Sequence, residues 1–347
     1  MSKVLVTGGT GFIAGHTIQQ LLQKGYKVVT TVRSDDKGDK LLNAHAPWSK
    51  NNLSYTIVKD VTQKGAFDEA IKTTPDLDYV IHTASPYHYD VSDPVANFLE
   101  PAITGTTSIL QALHAHSTTI KRVVLLSSFA AMRNDANPPP AYDESSWNPV
   151  TWDEAATNTK KTYQGSKTLS ERAAWDFIRE QKPQFDLVAI NPTLVFGPIA
   201  PHLRRADLPA GLNTSNQRIF NMLSGAMHDG LEPTGFYTFV DVRDVAAAHV
   251  AALELPRVAA RQESRCLMIA GHFSNVEIAR VVQEMMGKDE RMKALPETLP
   301  EKDDLPPLDQ RYRWDCSRSQ DMFGVRYRGL EECVRNTVES LRRGLAE

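Results

Sequence analysis

The chain has 347 residues, 41% of them hydrophobic and 23% charged, with a formal net charge of −3. That is enough for one large core or two smaller ones, and too little positive charge to suggest a polyanion partner, so no nucleic-acid partner is expected. No apolar stretch nears bilayer-spanning length and no charged leader precedes one, so a cytoplasmic protein with no membrane partner is expected. Cys266, Cys316 and Cys333 are far apart with no Cys-x-x-Cys pair, and the ten histidines show no ligand spacing, which argues against a disulfide framework and a metal site.

Val4-Leu5-Val6-Thr7 predicts a strand buried on both faces, and Gly8, Gly9 and Gly11 follow where the chain must turn. Phe12, Ile13, Ile18, Leu21 and Leu22 then recur at helical spacing before Gly25, so strand, glycine turn and helix stand in the order of a dinucleotide site. Gly8 permits the bend and Gly11 lets the backbone approach a pyrophosphate, while the N–H groups opening the helix at Phe12 and Ile13 point positive charge at it. Ala14 and Gly15 are expected to keep the helix close on the strand. A nucleoside-triphosphate loop is excluded, because His16 stands where its lysine would be.

Lys27 to Val32 is the second predicted strand, and the residue ending it selects the coenzyme. An NAD site places Asp or Glu there, about 20 residues past the glycines. Here Val32 is followed by Arg33, with Lys37 nearby. With no carboxylate to repel a 2′-phosphate and a guanidinium to hold it, NADPH is expected, although Asp35 and Asp36 follow closely. Residues 34 to 52 are polar and contain Pro47, which predicts a helix fragment and a loop. Leu53 to Val58 is a third strand leading into Lys59-Asp60-Val61, where Asp60 either meets the adenine amino group or caps the next helix.

Tyr79 to Ala84 is the fourth strand, and Thr83, Ala84 and Ser85 are small residues at its carboxyl edge, suited to lie against the coenzyme ribose. Phe98 to Leu113 has helical periodicity, and Arg122 to Leu126 is a fifth strand ending in Ser127-Ser128. Residues 133 to 162 read as a surface excursion. Helical periodicity resumes at Tyr163, and Phe185 to Ile190 is a sixth strand closed by Asn191-Pro192. Strands alternating with helices imply an α/β fold with a doubly wound parallel sheet of Rossmann type. The alternation stops after Pro192, so the expected division is a dinucleotide-binding domain of residues 1–192 and 237–262 and a smaller α/β substrate-binding lobe of 193–236 and 263–347.

Tyr163-Gln164-Gly165-Ser166-Lys167 carries the chemistry. Residues four apart share one helical face, so the Lys167 ammonium can sit beneath the Tyr163 phenol and favour its ionised form. Ser128, arriving at the same sheet edge, can hydrogen-bond the substrate oxygen and fix a carbonyl for reduction.

The chain resembles the extended short-chain dehydrogenase/reductase family, in particular the branch holding plant dihydroflavonol 4-reductases and fungal NADPH-dependent aldehyde, methylglyoxal and ketone reductases. The likeness rests on Val6 to Ala14, His82-Thr83-Ala84-Ser85-Pro86, Leu126-Ser127-Ser128, Asp143 to Trp147, Tyr163 to Lys167, Asn191 to Pro198, and Asp241 to Ala246. It implies Ser128 rather than Ser127 as the carbonyl-binding hydroxyl, Tyr163 as proton donor, and Lys167 as the group that lowers its pKa and holds the nicotinamide ribose. Pro192, Leu194 and Val195 would border the nicotinamide. Thr104 departs from the Asn of many members.

On the substrate side, Tyr87, Phe129, Leu194 and aromatic residues between 220 and 239 are expected to line a mainly apolar pocket, with Tyr163 at its reacting end. His202, Arg204 and Arg205 form a possible anion-holding set. The expected activity is NADPH-dependent reduction of a small-molecule aldehyde or ketone by a monomer or homodimer. Two alternatives stand beside it: a nucleotide-sugar epimerase or dehydratase with bound NAD, and a non-catalytic NADP-sensing protein.

Overall fold

Val4, Leu5 and Val6 are closed to solvent, as a run without a polar face requires, and the strand they form lies inside a sheet. The computed structural model describes residues 1–85, 92–256 and 264–346. Its strands in chain order are β1 (Lys3–Thr7), β2 (Lys27–Val32), β3 (Leu53–Ile57), β4 (Tyr79–His82), β5 (Arg122–Leu126), β6 (Ala141–Tyr142), β7 (Asp186–Pro192), β8 (Leu194–Phe196), β9 (Thr238–Asp241), β10 (Arg265–Met268), β11 (Gly271–His272) and β12 (Arg313–Trp314).

Seven of them make one parallel sheet in the order β10-β7-β5-β4-β1-β2-β3. The chain winds outward from β1 to β3, then returns across β1 to build the other half. The reversal between β1 and β4 opens a crevice at the carboxyl ends, where ligands of such sheets bind. Alternation along each strand feeds two cores. Val4, Val6, Val124 and Val188 pack with the helices Phe12–Gln23 and Val242–Glu254, whereas Leu5, Val123 and Leu187 pack with the helices Glu100–His116 and Thr159–Gln181.

A second sheet, β11-β9-β8, and the helices Thr214–Ser224, Asn275–Glu284 and Leu330–Ala346 enclose a third core around Phe196, Phe239 and Phe273. The corner between the sheets is Thr193, whose N–H donates to Met268 O at 3.2 Å and whose Oγ1 lies 3.0 Å from Thr238 O. Strands β6 and β12 form a parallel pair beside these sheets. No helix among the described residues is long and apolar enough to cross a membrane.

The division read from the sequence is corrected at two strands. Arg265–Met268, assigned to the smaller lobe, is the edge strand of the main sheet, with Arg265 opposite Ala189 and Met268 opposite Pro192. Thr238–Asp241, assigned to the larger domain, pairs with β8 and β11. Both are four-residue buried runs, and so short an apolar segment does not specify which sheet will take it. Residues 35–52 are two helices, Asp35–Ala44 and Ala46–Asn52. Pro47 falls at the second helical position, where no N–H is needed. The helix carrying Tyr163 begins a turn earlier, at Thr159, because Asn158 caps it by accepting Lys160 N–H.

Candidate active site

The glycine turn is held from both sides. Gly8 N–H donates to Thr31 Oγ1 at 2.9 Å, and Gly9 N–H donates to Thr31 O at 3.0 Å. Gly8 has φ +71°, and a Cβ there would come within 3.0 Å of Ala84 Cα, so only glycine lets the turn lie against the end of β4. The helix Phe12–Gln23 then opens at Gly11 with no side-chain cap. Its first-turn N–H groups are left for a ligand, the arrangement that binds phosphate. Ala14 is buried in the sheet-side core as expected, whereas Gly15 faces Pro201, 3.3 Å from where its Cβ would stand.

A groove of about 570 Å³ runs from this turn along the carboxyl edge. It brings together Gly11, Phe12, Ile13, Thr83, Ser85, Ser128, Tyr163, Lys167, Pro192, Leu194 and Val195 from the residues singled out in the sequence. A hollow of about 430 Å³ at the opposite, amino edge is lined by Thr118, Thr119, Lys121 and Leu253 among others. Its charged groups are spent on ion pairs, Arg122 Nε with Asp186 Oδ1 and Lys121 Nζ with Asp78 Oδ1, each at 2.7 Å, whereas the carboxyl-edge groove opens from the glycine turn.

The two serines ending β5 have different tasks. Ser127 is buried and donates to Glu171 Oε2 at 2.5 Å, which commits its proton to the interior. Ser128 caps a short turn at Phe129–Ala131, its Oγ accepting Ala130 N–H at 3.1 Å, and this leaves the hydroxyl proton able to point into the groove. The same turn carries Phe129 away from the position expected of it. Phe129 is 1% exposed and packs edge-on against Tyr142 and tilted against Tyr312, behind the groove rather than along it.

Tyr163 is 40% exposed on the groove wall. Lys167, one turn further along the same helix, donates from Nζ to Ser85 Oγ at 3.0 Å. Desolvation pushes its ammonium down to about 8. Ser85 is held in turn by a knot at the strand ends. Thr7 Oγ1 accepts the N–H groups of Thr83 and Ala84, each at 3.1 Å, and lies 2.9 Å from His82 Nδ1. With both lone pairs so engaged, the Thr7 hydroxyl donates to the imidazole. Burial pushes His82 down to about 3, so it is neutral here.

Arg33 stands exposed immediately past β2, and Lys37 is exposed in the first turn of the next helix. Asp60 accepts from Gln63 Nε2, Thr62 Oγ1 and Thr62 N–H. Those bonds, with a smaller contribution from nearby Arg33, hold its carboxyl below the usual range. Its lone pairs are thus largely spent on capping the turn that contains Val61. Tyr87 lies outside the described residues. His202 is buried, and Arg204 turns its guanidinium onto Pro201 O and Leu203 O, so the set does not converge on an open anion site.

Sequence reading missed the segment Ala210, Leu212, Asn213, Thr214 and Ser215, which forms the groove's outer wall. The asparagine at the N-cap position of the helix Thr214–Ser224 was the available signal, although its side chain donates to Val195 O rather than capping the helix. It also missed Glu171, whose interior position no local pattern announces.

A model of the NAD dependent epimerase/dehydratase family matches residues 4–264. Ketoreductase azaE of Aspergillus niger is 47% identical over 343 residues, covering 98% of this chain and 97% of the relative. NADPH-dependent methylglyoxal reductase GRE2 of Saccharomyces cerevisiae is 30% identical over 358 residues, covering 98% of each. The crystal structure of Gre2 from Candida albicans in complex with NADPH is similar at a TM-score of 0.85 and 35% identity, over 99% of both chains.

Proposed function

The chain belongs to the NAD dependent epimerase/dehydratase family, and from that premise we propose that it is an NADPH-dependent carbonyl reductase. Its substrates are aldehydes or ketones bearing an apolar or aromatic group. The observation that carries this reading is the convergence of Ser128, Tyr163 and Lys167 on one groove that begins at the glycine turn.

The chain's own geometry fits the coenzyme. The Gly8 turn leaves no room for a side chain at its back, the uncapped helix start offers backbone donors for a diphosphate, and Arg33 with Lys37 supplies positive charge where a 2′-phosphate would lie. When bound, the reduced nicotinamide supplies the hydride. Ser128 Oγ donates to the substrate carbonyl oxygen and fixes its direction, and Tyr163 gives its phenolic proton to the same oxygen. Lys167 favours the phenolate left behind, and from its place beside Ser85 it would also hold the nicotinamide ribose. Leu194, Val195 and Leu212 make the substrate side of the wall apolar.

Relatives named as reductases support this over sugar-nucleotide chemistry. The test is to follow NADPH and NADH absorbance with diketones, keto esters, aromatic aldehydes and flavonoid ketones. NADPH oxidation with at least one class is expected, and Tyr163→Phe should lower turnover by about 10² to 10⁴. Protein that retains NAD and oxidises NADPH with no carbonyl would overturn the proposal.

A further inference from the structure

Glu171 draws four hydrogen bonds onto one buried carboxylate behind the groove. Ser127 Oγ and Asn191 Nδ2 donate to Oε2 at 2.5 and 2.7 Å, and Arg265 Nε and Trp175 Nε1 donate to Oε1 at 2.6 and 3.2 Å. The Glu171 and Arg265 side chains are both completely shielded from solvent. Arg265 also donates from Nη1 to Glu144 O at 3.0 Å and Ser146 O at 2.6 Å, and its guanidinium lies 3.7 Å above the Trp147 ring.

Stability alone is a weak reason for such a pair. Removing two charges from water costs several kcal/mol each, and well-packed apolar residues of similar volume often do as well or better. What the carboxylate does, and an apolar side chain cannot, is fix direction. Ser127 and Asn191 each stand one residue before a member of the groove, Ser128 and Pro192. Asn191 Nδ2 also donates to Ser128 O at 3.2 Å, so the backbone that carries the Ser128 hydroxyl is held twice. Glu171 itself is one turn beyond Lys167 on the helix that also carries Tyr163. The phenol and the ammonium are thereby referred to the same fixed point as the serine.

Resting on the reductase reading, we propose that Glu171, paired with Arg265, is a positioning residue for reduction: it sets the Ser128 hydroxyl against the Tyr163 phenol by pinning the ends of β5, β7 and β10 to the helix that carries the acid. It acts through Ser128 and touches neither substrate nor coenzyme. Ser127 belongs to this support, since its proton is already given to Glu171.

The test is a double-mutant cycle on the full-length enzyme, with kcat, ketone KM, NADPH dissociation constant from fluorescence, and melting temperature measured for each variant. Glu171→Gln should bind NADPH within about 2-fold of the parent and keep its KM, while kcat falls about 10- to 100-fold, the loss expected of a displacement near 1 Å. In the Ser128→Ala background the same substitution should cost less than about 3-fold, because the group it positions is gone. Ser127→Ala, which cuts one arm only, should lower kcat less than Ser128→Ala does. It replaces Glu171→Gln in the cycle if that variant does not fold.

An unchanged kcat in Glu171→Gln, an equal loss with and without the Ser128 hydroxyl, or a loss confined to NADPH affinity would overturn the proposal alone. Parent protein that binds NADPH yet reduces no carbonyl would overturn the reductase reading and this proposal together.

Discussion

Lys167 Nζ lies 3.0 Å from Ser85 Oγ, joining the helix that carries Tyr163 to the end of β4. Desolvation of the ammonium in the groove wall lowers its pKa to about 8. The sign of the pH effect follows. Below 8 the ammonium is present and favours the phenolate, whereas above 8 it is lost as the proton leaves. The kcat/KM for reduction should therefore be level near neutrality and decline through an alkaline limb near pH 8. Lys167→Arg, which keeps its charge, should move that limb upward, and Lys167→Met should give a low, flat profile in the same range. Initial rates between pH 6 and 10 decide this, and a parent limb unmoved by Lys167→Arg would refute it.

Coenzyme preference should be written at the end of β2. A charged hydrogen bond to phosphate contributes about 1.5–3 kcal/mol, roughly ten- to a hundredfold in affinity. Arg33→Ala should thus lower kcat/KM for NADPH by about that factor and leave the NADH value nearly alone. Lys37→Ala should act in the same direction and less strongly. Equal losses with both coenzymes would show that Arg33 does not read the 2′-phosphate.

Gly8→Ala should abolish coenzyme binding before it abolishes folding. The substitution forces an L-residue into φ +71° and sets a methyl 3.0 Å from Ala84 Cα, at a cost of about 1–3 kcal/mol for the strained backbone. The turn must shift, and the helix N–H groups shift with it. Calorimetric titration with NADPH beside thermal melting separates the two effects, and wild-type affinity in Gly8→Ala would be the contrary result.

Acid should destabilise the fold through histidines buried in the neutral form. Burial pushes His45 and His249 down to about 4 and His82 to about 3, against an ordinary value of 6.5. The unfolded chain protonates these rings as pH falls below 6.5 and the folded chain does not, so their stability is full above 6.5 and declines toward pH 4. Each ring contributes about 1.4 kcal/mol per pH unit in that window. His45, with neither ring nitrogen hydrogen-bonded, is the cleanest to remove. His45→Leu should flatten the urea-stability slope between pH 6.5 and 4.5, and an unchanged slope would count against this assignment.

The sequence makes the first strand, the glycine turn and the helix after it legible because each rests on a local rule: an apolar run, a conformation only glycine adopts easily, and a 3.6-residue period. Tyr163 and Lys167 are legible for the same reason, being one turn apart on one helix. Phe129 is misjudged because the cap formed by Ser128 turns the next side chain inward, which no spacing reveals. Arg265–Met268 is misplaced because its partner, β7, lies more than seventy residues earlier. Glu171 is missed because a carboxylate in a helix reads as a solvated face until the strands that deliver Ser127, Asn191 and Arg265 are assembled around it.

Thr193 separates Asp186–Pro192 from Leu194–Phe196, so one nearly continuous ribbon serves both sheets, and the short step from Met268 to Gly271 repeats the crossing. A chimera exchanging whole lobes with a relative would cut both ribbons beside the reacting centre. Exchanging only the surface stretch 203–215 would leave both sheets whole. Changes confined to that stretch would therefore reshape the groove's outer wall without disturbing the strand that delivers Ser128.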